Sequence, residues 1–376
     1  MRKLLIVAGM VVLWRVFLQS GEFLGQYLGE YHPSFPYVEV ISTYGPRSVN
    51  AWSGFDGVHY LSIATNGYFG TGLVQAFFPL FPLLLKVAVG LSINPVIFGQ
   101  VMSLMFFIVG LTILLKYTEM DHSLINLVPI LVFPTAFFFA AVYTESLFFL
   151  LMVSAFYLVK KENWLLAGLI LALGSATRLV GVFGILAALS VPWLSLAKRH
   201  FHSLFSSSKK IAIGFLGIGS YMAYLWYRYQ DPLLFFHVQA DFNAGRQESL
   251  ILFPQVVYRY LNMIWNASSF SWAMYATIQE FVITMGVLCI LLFMTFTKRY
   301  RTSIEYLLFS WFCFLLPPLT GTFQSMPRYV LTVFPIFFFF ARLRVTHPKI
   351  WVGTIIAMIP FLFLNTALFL HGVWVA

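Results

Sequence analysis

MRKLLIVAGMVVLWRVFL (residues 1–18) decides how the rest of the chain is read. A basic start before a short apolar run is also how a cleaved secretory signal begins. Here Arg15 interrupts the run, and no small-x-small pattern follows it. The segment is expected to stay as a first membrane helix with its start in the cytoplasm. Composition points the same way. Of 376 residues, 60% are hydrophobic and 10% charged, against about 25% charged in a soluble domain. Runs near the ~20 residues that cross a bilayer recur along the whole chain. The expected class is an all-α polytopic membrane protein, folded as one domain over 1–376.

Working outward from the first segment, the expected spans are 4–20, 77–93, 95–115, 122–142, 145–160, 163–178, 181–197, 209–228, 273–297, 302–319, 328–344 and 349–371. The formal charge is +10, and its bases cluster between apolar runs, in KRHFHSLFSSSKK (198–210), KRYR (298–301) and ARLRVTHPK (341–349). Such clusters anchor cytoplasmic loops. No basic patch is interleaved with stackable aromatics outside the membrane, so no nucleic-acid partner is expected. Counting orientation forward from residue 1 and backward from 198 gives opposite sides for 21–76. One segment between 77 and 197 must therefore be split or re-entrant, or two of the short spans form one helix.

Two stretches are too long and polar to be simple connectors, 21–76 and 229–272. Both count to the face opposite the basic loops, which predicts a catalytic or binding surface there. Only thirteen residues are acidic. Those expected near that face are Glu22, Glu30, Glu39, Asp56, Glu145, Asp231, Asp241 and Glu248. An acid at a membrane boundary is costly unless paired, wetted or functional. Asp56 stands out in WSGFDGVHYLSIATNGYF (52–69). Trp52, Phe55 and Tyr60 are of the kind that sit at headgroup depth, and the segment reads as a short helix resting on the bilayer. Pro79 and Pro82 in QAFFPLFP (75–82) suit a helix beginning. FFFAAVYTESLFF (137–149) carries a polar notch of Tyr143, Thr144, Glu145 and Ser146. ATRLVG (176–181) and SMPRYVLTVFPIFF (325–338) bring Arg178 and Arg328, which either snorkel to water or grip an anion. Cys289 and Cys313 lie in apolar runs and read as packing residues. The histidines are scattered, there is no Asp-x-Asp, and no Gly-rich phosphate loop appears, so neither metal nor cofactor is expected. GFLGIGS (214–220) reads as a close helix-packing stretch.

Taken together, these motifs in this order resemble the GPI mannosyltransferase II (PIG-V) family and its prokaryotic relatives. The resemblance implies a GT-C-type bundle of about 11–13 transmembrane helices, with interfacial helices in the first large outer loop. It implies a polyprenyl-phosphate-linked sugar donor, with mannose as the family's lead, and a lipid, glycolipid or glycan acceptor. The family's acidic motif falls on Asp56, with Phe55 where Trp is usual, and ends on His59 and Tyr60. Its Tyr-Ser-Glu-Ser segment falls on Tyr143, Thr144, Glu145 and Ser146. Arg178 matches its Thr-Arg-x-x-Gly segment, with Val180 in place of the usual Asn. Arg328 matches its Arg-Tyr element, and FFHVQADF (235–242) gives Gln239 a sugar- or phosphate-facing role. The implied location is the plasma membrane of a prokaryote or the endoplasmic reticulum of a eukaryote, with the active site extracytoplasmic.

The expected reaction is a single inverting displacement. Asp56 takes the acceptor's proton, while Arg328, Arg178 or Arg246 meets the leaving phosphate. The alternatives are a transporter or lipid flippase, which would place ionisable groups in mid-membrane, and a non-catalytic scaffold.

Overall fold

The computed structural model describes residues 2–376 except 26, 28–30, 32, 34, 36–37, 69–72, 118–119, 121, 195–200, 240–245 and 247–248. Side chains of 201–203 are also outside the description. Glu30, Glu119, Asp121, Asp241 and Glu248 thus lie outside the described residues.

The described chain is all-helical, without a strand. Its helices of ten residues or more are α1 (Arg2–Gln19), α2 (Asp56–Asn66), α3 (Leu80–Gly90), α4 (Pro95–Leu114), α5 (Glu145–Lys160), α6 (Trp164–Ser175) and α7 (Gly181–Leu194). They continue with α8 (Phe201–Ala212), α9 (Phe215–Tyr229), α10 (Phe253–Trp265), α11 (Trp272–Phe296), α12 (Ile304–Leu315), α13 (Ile336–Thr346) and α14 (Pro348–Leu370). Capping follows local chemistry. Asn94 accepts the Val96 and Ile97 amides ahead of Pro95, the first residue of α4, and Ser271 accepts the Met274 amide at the start of α11.

Among the described residues, four helices are long and apolar enough to cross a membrane: the α1 segment Arg2–Gly25, α4, α11 and α14. A fifth span would be the bent pair Met326–Thr332 and Ile336–Thr346, which turns through 80°. Much of their surface is apolar and outward-facing, as at Leu13 and Ile356, which suits lipid rather than water. Several expected spans are shorter. The runs read at 77–93 and 163–178 contract to α3 and α6, the run read at 181–197 is α7 as far as Leu194, with 195–197 outside the described residues, and 209–228 divides into α8 and α9 around Gly214.

The run 122–142 is not a continuous helix. It breaks into the short turns Leu124–Leu127, Val128–Leu131 and Ala136–Phe139, with Pro129 and Pro134 among them. A broken backbone without water must find partners for its carbonyls. The Trp14 indole N–H donates to the Leu131 carbonyl (2.7 Å), the Asn365 amide to that of Pro134 (2.9 Å), and the Ser146 hydroxyl to that of Phe139 (2.6 Å). Thr135 in turn donates to the Pro327 carbonyl (2.6 Å), which joins this broken stretch to the bent pair. Polar residues scattered through apolar runs are thus what lets two irregular segments sit inside the bundle.

The core is aromatic. Phe107 stacks on Phe139 at 4.3 Å, and Phe137, Phe138, Phe148 and Phe149 are fully buried. Close approach needs glycine at particular points. A Cβ at Gly110 would lie 2.7 Å from the Phe149 ring, and one at Gly217 would strike the Ala172 carbonyl oxygen. Gly217 belongs to the 214–220 stretch, whose expected packing role is therefore met.

One correction concerns α2. It does not rest on the bundle's outside. Trp52, Phe55 and Tyr60 are buried, as are Val58, Leu61, Ile63 and Ala64 along the helix. Buried residues lie round most of its circumference, and α3 and the 141–144 turn pack against it, so it belongs to the core.

Candidate active site

The site begins with a strained turn. The Gly57 amide donates to the Gly54 carbonyl (3.1 Å), closing the turn Gly54–Phe55–Asp56–Gly57. Phe55, in its second position, has φ 55° and ψ −118°, a conformation normally left to glycine. Tyr143 straps it down. Its hydroxyl donates to the Gly54 carbonyl (2.9 Å) and accepts from the Asp56 amide (3.2 Å). The kink turns the Phe55 ring against Phe35 (4.7 Å) and Trp374 (4.9 Å), and it starts α2 at Asp56.

Three helix ends then bring charge together. Arg328 lies in the one-turn helix Met326–Tyr329, entered through Ser325 at φ 66°. Its Nη1 donates to Asp56 Oδ2 at 2.6 Å, and its Nε lies 3.2 Å from Glu145 Oε1. Glu145 opens α5, where an acid suits the helix dipole. The same Oε1 accepts from Arg178 Nη1 at 2.8 Å. Arg178 comes from the turn joining α6 to α7. Asp56, Arg328, Glu145 and Arg178 thus form one continuous chain of ion pairs. Arg246 adds a third guanidinium: it donates to the Tyr329 hydroxyl (2.7 Å) and to Gln239. The Arg178 and Arg328 guanidiniums both lie 5.3 Å from the Tyr329 ring centre, so Tyr329 stands among all three. Among the described residues, three guanidiniums against two carboxylates leave one positive charge in excess.

These groups border a cavity of about 490 Å³ lined by Asp56, His59, Tyr60, Arg178, Gln239, Arg246, Arg328 and Tyr329. Its remaining wall is largely apolar, including Phe77, Phe78, Leu179, Phe235, Leu316 and Trp374. Polar groups converging in an apolar cleft are the common form of a binding site. Burial would raise the pKa of Asp56. The charge and hydrogen bond of Arg328, helped by Arg246, outweigh it and hold the carboxyl below its ordinary value. His59, stacked on Phe77 at 4.8 Å, has its pKa lowered by burial despite Asp56, so the ring is neutral at neutral pH. Burial, with the nearby acids, raises the pKa of Tyr60 and Tyr143, which remain hydroxyl donors.

Nine of the ten residues singled out from sequence meet here. Asp56, His59, Tyr60, Arg178, Gln239, Arg246 and Arg328 line the cavity, while Tyr143 and Glu145 brace it from behind. Ser146 does not belong to it: it is fully buried and spends its hydroxyl on the Phe139 carbonyl. Cys313, expected only to pack, is on the cavity wall. Tyr329 and Trp374 were missed. Tyr329 carried a signal, adjacency to Arg328; Trp374 carried none, because nothing local ties 374 to 55. Among the described residues no cluster of three or more His, Cys, Asp or Glu has the spacing to hold a metal ion.

Fold and site together define a helical membrane protein with an arginine-rich cavity enclosed by its helices. No protein-family model matches the chain, and no curated protein or solved structure matches it.

Proposed function

We propose that the protein is an integral-membrane glycosyltransferase of the GT-C, PIG-V-like kind. It moves a sugar, mannose being the leading choice, from a polyprenyl-phosphate donor to a lipid or glycan acceptor on the extracytoplasmic side. The observation that carries this reading is the Asp56–Arg328–Glu145–Arg178 chain on the wall of a partly apolar cavity. A carboxylate beside anion-gripping guanidiniums is what sugar transfer from a lipid phosphate requires.

In the proposed step the acceptor oxygen forms a bond to the anomeric carbon. The bond from that carbon to the phosphate oxygen breaks, and its electron pair leaves with the polyprenyl phosphate. The acceptor's proton passes to Asp56. A positioned base of this kind is worth about 10²–10⁴-fold, and guanidiniums stabilise the departing anion. The shared arginine couples the two halves. While Arg328 grips Asp56 the carboxylate is a weak base; a donor phosphate that draws Arg328 away would raise its basicity. Glu145 is fully buried with Oε1 pinned between two arginines, which makes it a poor second nucleophile and favours a single, inverting displacement.

The test is transfer by the purified protein in liposomes, using a panel of polyprenyl-phosphate sugars. The wild type should transfer at least one of them, and Arg328→Ala should weaken donor use. A transporter or flippase is the second reading, favoured by the 80° break in the helix pair that bears Arg328. Lipid or solute movement with no transfer from any donor would select it.

A further inference from the structure

The helix α10, away from the cavity, carries three stripes along its length. Val256 and Tyr260, at i and i+4, are buried against the bundle, and the Tyr260 hydroxyl donates to Glu280 of α11 (2.6 Å). Gln255, Arg259 and Asn262, at i, i+4 and i+7, form a polar stripe. The third stripe is Tyr258, Leu261 and Trp265, at i, i+3 and i+7. These large side chains are 64%, 49% and 88% exposed, so nothing among the described residues covers them.

Depth and charge decide what covers the third stripe. Glu280 lies eight residues into a span that begins at Trp272, about 12 Å along the helix axis. The Tyr260 bond to Glu280 therefore holds α10 beside the end turns of a membrane span. At that level the outward face of α11 is itself apolar, with Ile278 and Val282 exposed. The stripe on α10 is thus continuous with a lipid-facing surface. The 266–271 connector reaches at most about 20 Å, so Trp265 also stays near the start of the span. Charge agrees with depth. From Ser249 to Gln279 the only charged residue is Arg259, which donates to the Gly321 carbonyl (3.3 Å). A helix surface meant for water would carry more charge than this. Tyr and Trp are the residues that favour headgroup depth.

We infer that Tyr258, Leu261 and Trp265 seat α10 in the bilayer, at the boundary between headgroups and acyl chains. The seat is at the end of α11 opposite the KRYR (298–301) loop. Its partner is the uncharged part of a phospholipid, because the stripe presents no cation to an anionic headgroup. The interfacial role expected of α2 falls instead to α10, in the second long loop.

The experiment is spin-label accessibility on the full-length protein in phosphatidylcholine nanodiscs. Cys289→Ser and Cys313→Ser remove the native thiols. Single nitroxides are then placed through Tyr258→Cys, Leu261→Cys and Trp265→Cys on the apolar stripe, and through Gln255→Cys and Asn262→Cys on the polar one. Labels at 258, 261 and 265 should be relaxed more by oxygen, which concentrates in the bilayer, than by a water-soluble nickel chelate. At 255 and 262 the order should reverse. Equal chelate access at all five positions would place the stripe in water and overturn the inference. Shielding of 258, 261 and 265 from both reagents would mean that a second copy or another protein covers them, and would also overturn it. A pattern that appears only when phosphatidylglycerol is added would contradict an uncharged partner. If the thiol-free protein does not fold, wild type and Trp265→Phe are compared in nanodiscs of acyl-brominated phosphatidylcholine. The part of the tryptophan emission that Trp265→Phe removes should be quenched there relative to unbrominated lipid; an unquenched difference would overturn the seat.

Discussion

Two acids sit deep in this bundle, and their surroundings differ in kind. Glu145 is held by two arginines, one of which it shares with Asp56, and the chain of charge ends on the cavity wall. Glu280, inside α11, has no cation within ion-pairing distance among the described residues. It accepts from the Tyr260 hydroxyl (2.6 Å) and the Ser325 amide (3.4 Å), and Tyr260 in turn meets Thr322 and the Phe323 amide. That cluster ties α10 and α11 to the 322–325 loop; Ser325 reaches the cavity wall, while Glu280 and Tyr260 do not line it. A buried acid satisfied by neutral donors fastens a fold; one balanced by arginines at a cavity costs stability and is kept for chemistry. The loop fastened by Glu280 leads directly into Arg328, so the two clusters adjoin along the chain.

This contrast can be broken or sharpened by substitution. The largest effect is expected for Asp56→Asn: sugar transfer should fall by about 10²–10⁴-fold while the protein still folds, measured by turnover and thermal melting on one preparation. Glu145→Gln should act on stability, since it strands Arg178 without an acid. A loss of about 3–5 kcal/mol in denaturant unfolding is expected, and a near-silent change would erase the proposed difference between the two acids. Glu280→Gln should cost less, about 1–3 kcal/mol for one mismatched buried hydrogen bond, with turnover of the folded fraction close to wild type.

The smallest effect is one of pH. The carboxyl of Asp56 has a folded pKa below its unfolded value, so its stabilising contribution is complete above the unfolded pKa. It is lost as pH falls through the lowered folded value. The wild-type-minus-Asp56→Asn difference in melting temperature should therefore be flat from pH 8 to about 4, near the ordinary aspartate value, and collapse only below that. A difference that faded around pH 6 would deny the ion pair its grip on Asp56.

Much of this site was legible before any coordinates, because its chemistry uses residues that are expensive in an apolar chain. Asp56, Glu145, Arg178 and Arg328 stood out because a charge between hydrophobic runs needs a reason. The helix reading was less successful where polar residues serve backbone. Asn365, Thr135 and Ser146 pay the hydrogen-bond debt of the broken 124–139 stretch from far along the chain or across a turn, and no local pattern announces such a debt. The run 122–142 therefore looked like a plain span. The placement of α2 failed for a related reason: Trp52, Phe55 and Tyr60 have the composition of an interfacial belt, yet tertiary packing buries all three. Trp374 became visible only when the fold set it against Phe55.

The central claim is that Asp56 deprotonates the acceptor in one displacement at the anomeric carbon. The configuration of the transferred sugar tests it most directly, read by NMR of the product made from a donor of known anomeric form. The account predicts inversion. A product with retained configuration would contradict it, because retention needs a second carboxylate free to attack, and Glu145 is locked between its arginines.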